Sequence, residues 1–325
     1  MFEARHQLII VTPVYEDTEA CTELLQHLGA RFGETLYVVL VDDGSVRQPL
    51  RAQDIPEQAP DCCIVSLRRN VGHQRAIATG LSLVAAQLQA HQRLILMDCD
   101  GEDSPEACTL LLQRLDPSTS DIVVAQRRKR SESLRFRVFY MAYKGLFRAA
   151  TGRSIDFGNF MAMTPAAARR LTAMSELPIH VAGTALASKL RIERAPVDRS
   201  TRYQGRSKMN FQSLVLHGLK AIMVFAEDFL VRIGLACLIV ALVAALCILA
   251  AIGIKLTGVP TPGWFSVTLG ILVLISLQAG TLTLLALMLN GVLKNTPVAG
   301  AAVHAENIDS VQPIPRRGAP SAGNS

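Results

Sequence analysis

Two long uncharged stretches constrain this chain more than any other feature. Residues Ile233 to Ile254 read IGLACLIVALVAALCILAAIGI, and Trp264 to Leu293 also carry no charge, with Gln278 and Asn290 as their amides. Each exceeds the roughly 20 apolar residues needed to cross a hydrocarbon core about 30 Å thick. A core helix of a soluble bundle keeps a polar stripe, and neither stretch shows one. The surrounding charges orient the pair. Lys208, Lys220 and Arg232 precede the first stretch, Lys294 follows the second, and the loop 255–263 holds only Lys255. This bias predicts a hairpin with both ends on the cytoplasmic side. The N-terminal MFEARHQLIIVTPVYED has a short apolar run preceded by Glu3 and broken by Pro13, which does not read as a signal peptide. The expectation is an integral, multi-pass membrane protein whose first two thirds and both termini stay in the cytosol.

That preceding part alternates two patterns. Short β-branched runs at 7–14 (QLIIVTPV), 36–41 (LYVVLV), 62–67 (CCIVSL), 94–97 (LILM) and 121–125 (DIVVA) each end in a polar cluster. Helical stretches at 16–30, 73–90 and 105–115 lie between them. Near-continuous apolar strands alternating with helices predict an α/β fold with a mostly parallel sheet covered on both faces. Ligands of such sheets bind at the carboxyl ends of the strands. The clusters there are Thr12-Pro-Val-Tyr-Glu-Asp17, Asp42-Asp-Gly-Ser45, Arg68-Arg-Asn-Val-Gly72 and Asp98-Cys-Asp100. The expected divisions are a cytoplasmic domain over 1–208, an amphipathic interfacial helix over 209–228, the membrane hairpin over 229–294, and a disordered tail, rich in Pro, Ala, Gly and Ser, over 295–325. Seven cysteines form no CxxC pair and read as reduced.

The segment LILMDCDGEDSPE (94–106) crowds five acids behind a strand. In an extended chain Asp98, Asp100 and Glu102, at i, i+2 and i+4, would share one face. Three carboxylates so placed need a cation, and oxygen-only ligands suit Mg²⁺ or Mn²⁺. Asp103-Ser104-Pro105-Glu106 reads instead as a helix start. The turn at Asp42-Asp43-Gly-Ser offers a carboxylate to a ring N–H or a ribose hydroxyl.

Taken together, TPVYED (12–17), DDGS (42–45), RRNVGHQRAIATGL (68–81), MDCDGEDSPE (97–106), AQRRKR (125–130), DFGNF (156–160) and RYQGRSKM (202–209) resemble the family 2 glycosyltransferases over residues 7 to about 210. Within them the chain is most similar to the polyprenyl-phosphate branch, which includes dolichyl-phosphate mannosyltransferase and bacterial undecaprenyl-phosphate sugar transferases. The resemblance implies a nucleotide-binding GT-A-type fold, inverting transfer from a nucleotide-diphosphate sugar to a polyprenyl phosphate, and a bacterial inner-membrane location. It implies Pro13, Tyr15, Glu16 and Asp43 around the nucleoside, and Asp98 and Asp100 on the metal and the diphosphate. Two departures stand out. The branch's usual DADLQD carries Gln where Glu102 stands, and its GDFRL reads Gly158-Asn159-Phe160-Met161-Ala162, without the usual Asp and Arg.

The chemistry sets further requirements. A diphosphate leaving group needs charge neutralisation, which a divalent ion supplies. A lipid monophosphate is already an anion and needs binding and alignment rather than a base. The cations available for this are Arg127, Arg128, Arg130, Arg135, Arg202, Arg206 and Lys208, with Arg127 and Arg202 expected to act in catalysis and Arg128 and Lys208 on the phosphates. Asp156 is the nearest candidate for a conventional base and is expected to orient an Arg or the sugar instead. The helices LRFRVFYMAYKGLFRAA (134–150) and MNFQSLVLHGLKAIMVF (209–225) are amphipathic, and the second is expected to lie in the membrane interface. His73 could reach a phosphate, though a structural role is favoured, and His180 has no assigned role. The expected partners are donor, acceptor and bilayer, with a homo-oligomer left open. A nucleic-acid binder, suggested by the net charge of +6, matches no module. A processive polysaccharide synthase would carry QxxRW, whereas the single Trp here is Trp264 in a span. An inactive nucleotide-sugar-binding membrane scaffold is the remaining alternative.

Overall fold

The computed structural model describes residues 1–116, 119–127, 134–198, 200–203, 211–257, 263–295 and 306–316. The chain divides into two compact units, one of Met1–Arg137, Ile155–Val224 and Val298–Ser325, the other of Val138–Ser154 and Phe225–Pro297. The first unit is built on one eight-stranded sheet. Its strands are β1 (Leu8–Val14), β2 (Leu36–Asp42), β3 (Asp61–Leu67), β4 (Arg93–Leu96), β5 (Ile122–Arg127), β6 (Met161–Met163), β7 (Ile192–Val197) and β8 (Ile308–Ile314), ordered β7-β5-β6-β4-β1-β2-β3-β8. The pairs β1–β2, β1–β4, β2–β3 and β5–β7 are parallel, while β6 and β8 run antiparallel to their neighbours. The expected α/β architecture is therefore present, with two reversed strands added to it.

Strand β1 shows why the core forms on both faces. All seven of its residues are buried. Leu8, Ile10 and Val14 join one apolar cluster and Ile9 and Val11 the other, as the alternation of side chains along a strand requires. Helices α1 (Thr18–Phe32) and α3 (Pro105–Leu115) cover the first face through Leu24, Leu25, Leu28, Cys108 and Leu111. Helices α2 (His73–Ala85), α5 (Pro165–Thr172) and α6 (Val181–Ala187) cover the other through Ile77, Leu81, Leu171 and Val181. A further helix of this unit, α7 (Phe211–Met223), buries Ala221 and Ile222 but exposes Leu216, Leu219 and Met223. The cysteines of the sheet are buried, and burial pushes the Cys62 thiol up to about 12.

The tail differs from the expectation of disorder. Residues 308–314 form β8 on the free edge of β3, and Arg68 Nε donates to the Ile308 carbonyl at 3.2 Å. Composition argued against order here, but Ile308, Val311 and Ile314 are β-branched residues presented to an unfilled edge. A register shift between Ser66 and Leu67 lets Ile308 pack with one core cluster and Ile314 with the other.

The second unit contains part of α4 (Leu134–Thr151) with α8 (Ala226–Leu256) and α9 (Trp264–Asn295). This differs from the expected boundary at 208, because α4 residues from Val138 group with the apolar helices. Phe147 stacks edge-on against Phe225, centroids 5.9 Å apart, and the Arg153 guanidinium lies 5.1 Å over the same ring. Helices α8 and α9 are long and apolar enough to cross a membrane, with mean hydropathies of 3.2 and 2.2. Small residues line their seam: Gly234, Ala244, Ala251, Ala279 and Ala286 are buried while the leucines around them are exposed. Thr283 Oγ1 bonds the Ala279 carbonyl at 2.8 Å and approaches the Gly234 carbonyl at 3.4 Å. Close backbone approach over small residues is how helices associate in lipid.

Candidate active site

The carboxyl ends of β1 to β5 lie at one edge of the sheet, and the chain turns there through four polar clusters. At the end of β1, Pro13 is buried within the strand and Tyr15 is exposed. Glu16 departs from the role implied for it. It has a left-handed φ of 47°, and its carboxylate accepts from the backbone N–H groups of Val46 and Gln48, each at 2.8 Å, and of Arg47 at 3.0 Å. Those bonds, Arg47's first, hold its carboxyl below the usual carboxylate range. Its oxygens are used to shape the loop after β2, so a ligand meets that loop rather than the carboxylate.

Asp42 and Asp43 divide their work similarly. Asp42 accepts from the N–H groups of Ser45 at 3.0 Å and Leu50 at 3.1 Å and closes its own turn. Asp43 is buried and accepts from the N–H groups of Val71 at 2.7 Å and Gly72 at 3.0 Å, tying the end of β2 to the start of α2. Burial raises its carboxyl above the usual value, against the lowering effect of these two bonds. Gly44 has φ +67°, and a Cβ there would meet the Arg69 backbone at 2.4 Å, so only glycine lets these two loops touch.

The acidic segment does not continue as a strand. β4 ends at Leu96, residues 99 and 100 turn, and Gly101 has φ +84°. The expected common face for Asp98, Asp100 and Glu102 is therefore broken. Asp98 Oδ1 lies 3.3 Å from His73 Nε2 at the first residue of α2, and His73 Nε2 is 3.2 Å from Asn159 Nδ2. Asp100 and Glu102 instead share Arg202, whose Nη2 meets Asp100 Oδ2 at 2.5 Å and whose Nε lies 3.9 Å from Glu102 Oε1. Asp103 is buried and accepts from the Asp98 N–H at 3.2 Å, while Ser104 caps α3 by accepting from Ala107 N–H, also at 3.2 Å. Among the described residues no three His, Cys, Asp or Glu side chains form a ready-made metal centre. The oxygen donors at this strand end nevertheless suit a hard divalent ion, and Arg202 now supplies the positive charge that two of them need.

Segment 200–203 is joined to this turn along its length. Ser200 N–H donates to the Glu102 carbonyl at 3.2 Å and Tyr203 N–H to the Asp100 carbonyl at 3.0 Å. The Tyr203 ring lies where a Cβ on Gly101 would be, 2.5 Å from its nearest atom, and its hydroxyl is 2.9 Å from His27 Nδ1 on α1. Gly101, Ser200 and Tyr203 also line a cavity of about 600 Å³ with residues of α1 and α3.

Asp156 is held by Arg194 Nε at 3.1 Å and Gln126 Nε2 at 2.7 Å. Arg127 ends β5 opposite Val197 of β7. Arg128, Arg130, Arg206 and Lys208, expected on the phosphates, lie outside the described residues. The residues that sequence reasoning left without a part here are His27, His73, His180, His217 and Arg194. His73 alone had a sequence signal, its place after the RRNVG turn.

Three comparisons bear on the site. The model of glycosyl transferase family 2 matches residues 9–177. The undecaprenyl-phosphate 4-deoxy-4-formamido-L-arabinose transferase of Enterobacter sp. (strain 638) is 28% identical over 225 residues, covering 66% of this chain and 65% of the relative, just under two thirds of its length. The transferase of the same name from Proteus mirabilis (strain HI4320) is 26% identical over 163 residues, 48% of each chain. Among solved structures, glucosyl-3-phosphoglycerate synthase from Mycobacterium tuberculosis in complex with Mn²⁺, uridine-diphosphate and phosphoglyceric acid superposes with a TM-score of 0.48 at 13% identity, covering 69% of this chain and 78% of that one. That likeness is too distant to bear on ligands.

Proposed function

Because the chain belongs to glycosyl transferase family 2, we propose that it transfers a sugar, with inversion, from a nucleotide-diphosphate sugar to a polyprenyl phosphate at the cytoplasmic face of a membrane. The observation that carries this reading is the joining of segment 200–203 to the acidic turn 98–102, directly ahead of α7 with its exposed Leu216, Leu219 and Met223 and of two helices able to span a bilayer. A lipid acceptor is thus led by the chain itself to the turn that handles the diphosphate. The curated relatives, named for transfer to undecaprenyl phosphate, support the same acceptor class.

In the reaction an acceptor phosphate oxygen forms a bond to the anomeric carbon while the bond to the nucleoside diphosphate breaks and its electron pair leaves with the diphosphate. The attacking oxygen is already anionic, so no protein base is required. Asp156, paired with Arg194 and Gln126, orients these groups instead. Tyr15 presents its exposed ring at the end of β1 to the base, and Asp43 holds the loop that contacts the nucleoside. Arg202 stands between donor and acceptor and offsets the repulsion of two anions, with Arg127, Arg128 and Lys208 as further phosphate partners. Asp98 and Asp100 would hold Mg²⁺ or Mn²⁺, with Glu102 able to join them, and the ion would supply Lewis-acid neutralisation of the leaving diphosphate.

The membrane placement follows from connectivity. The chain leaves the sheet unit after α7, passes through α8 and α9, and returns to pair as β8 on β3. Both ends of the hairpin therefore leave from one side, which supports cytoplasmic termini. The test is incubation of the purified full chain with Mg²⁺, undecaprenyl phosphate and a panel of nucleotide sugars. A lipid-linked sugar is expected from undecaprenyl phosphate and none from undecaprenol. Efficient transfer to undecaprenol or to a soluble sugar would refute the acceptor.

A further inference from the structure

We propose that His217 on α7 is a hydrogen-bond donor to a substrate phosphate oxygen, with its proton fixed on Nδ1 by a buried contact to His180. The proposal rests on the transferase reading above and adds a residue to it.

The argument follows protons outward from the backbone. Gly183 N–H donates to His180 Nδ1 at 2.9 Å, where His180 caps α6. A backbone N–H cannot accept, so Nδ1 carries the lone pair. His180 is only 4% exposed, and burial first, then the neighbouring His217, pull its pKa down to about 3, so the ring is neutral with its proton on Nε2. That Nε2 lies 3.1 Å from Nε2 of His217, and the rings sit 4.4 Å apart. Two ring nitrogens in contact share one proton, and His180 supplies it, so His217 Nε2 accepts. Burial, then His73 and Lys220, lower the pKa of His217 as well, while Asp98 acts the other way. A neutral His217 whose Nε2 accepts has one place left for its proton, which is Nδ1.

Position makes this donor useful. A chain of contacts runs from the acidic turn to His217. Asp98 meets His73, and the next residue on α2, Gln74, accepts the Val181 N–H at 2.6 Å through its Oε1. Val181 follows His180. His217 is itself half-buried, on the helix that follows segment 200–203. Phosphate oxygens are acceptors only, and a neutral donor locked in one tautomer binds them without adding charge to a site already holding Asp98, Asp100 and Glu102. A purely structural tie between α6 and α7 would satisfy the same distances but would not discriminate a phosphate from an alcohol.

The test uses the full chain in lipid nanodiscs, with wild type, His217→Ala and His217→Asn, the last retaining an N–H near the Nδ1 position. The probes are undecaprenyl phosphate, undecaprenol, and UDP and GDP each alone. His217→Ala should weaken one phosphate probe by roughly tenfold or more, as expected for a hydrogen bond to a charged group. Undecaprenol binding should not change, and His217→Asn should recover most of the loss. Loss with undecaprenyl phosphate assigns the donor to the acceptor side, and loss with UDP or GDP assigns it to the nucleotide sugar. If the wild type binds no undecaprenyl phosphate, the acceptor reading falls while the nucleotide arms still decide His217. Unchanged affinity in every phosphate arm, an equal loss for undecaprenol, or a ¹⁵N-histidine spectrum placing the His217 proton on Nε2 would overturn the proposal.

Discussion

Replacing Arg202 by Gln should tighten the binding of Mn²⁺ to the donor-free protein while abolishing transfer. The Arg202 guanidinium contacts Asp100 directly and Glu102 at 3.9 Å, with about a fifth of its side chain exposed and 13% of each carboxylate side chain. A divalent ion drawn to Asp100 must compete with that contact. A hydrogen bond between charged groups contributes about 1.5–3 kcal/mol. The longer Glu102 contact adds little, and partial exposure argues for the lower end of the range. A displaced contact of about 1.5 kcal/mol corresponds to roughly tenfold in dissociation constant. The assay is titration of Mn²⁺ against purified protein, with free Mn²⁺ read by electron paramagnetic resonance, for wild type, Arg202→Gln, Asp100→Asn and the double variant. Arg202→Gln should bind about tenfold more tightly, and Asp100→Asn more weakly. Transfer should be lost in Arg202→Gln because the acceptor phosphate loses its cation. Unchanged or weaker Mn²⁺ binding in a folded Arg202→Gln protein would refute the idea that Arg202 stands in for the ion.

Other expectations follow from single contacts. Gly101→Ala meets both a φ of +84° and the Tyr203 ring, so it should slow transfer sharply, and adding Tyr203→Ala should return part of the stability but not the rate, as a double-mutant cycle on thermal midpoints would show. Asp43→Asn keeps one acceptor oxygen for two N–H groups and should cost about 1–2 kcal/mol of stability, with a raised KM for the nucleotide sugar. His180 has a native pKa near 3 against 6.5 when unfolded, so the unfolded chain takes up its proton first as pH falls. Stability from this group is complete above about pH 6.5 and declines toward pH 3, by about 2 kcal/mol at pH 5. The thermal midpoint of wild type should drop between pH 7 and 5 more than that of His180→Asn, and parallel curves would count against it. Tags at residues 1 and 325 should be reachable from the cytoplasmic side and a tag at residue 258 from the other.

What the sequence determined by itself is what local pattern can carry. Apolar runs long enough to bury a strand on both faces marked β1 to β5, and uncharged runs long enough to cross lipid marked α8 and α9. Ser104-Pro105-Glu106 announced the start of α3, and the polar residues at the strand ends announced where a ligand sits. Tertiary structure decided the rest, for reasons no short window contains. β6 is three residues long and exists because β4 and β5 leave a gap between them. β8 is a strand because β3 offers an open edge to the isoleucines of a Pro-containing segment. The acids of 98–103 were legible as a group, but their separation depended on a left-handed turn at Gly101 and on partners far away in the chain, His73 for Asp98 and Arg202 for Asp100. His180 and His217 are 37 residues apart and carry no common motif. Their shared proton follows from the packing of α6 beside α7, and hydrogen-bond direction at a buried ring depends on which atoms the fold brings within 3 Å or so of it.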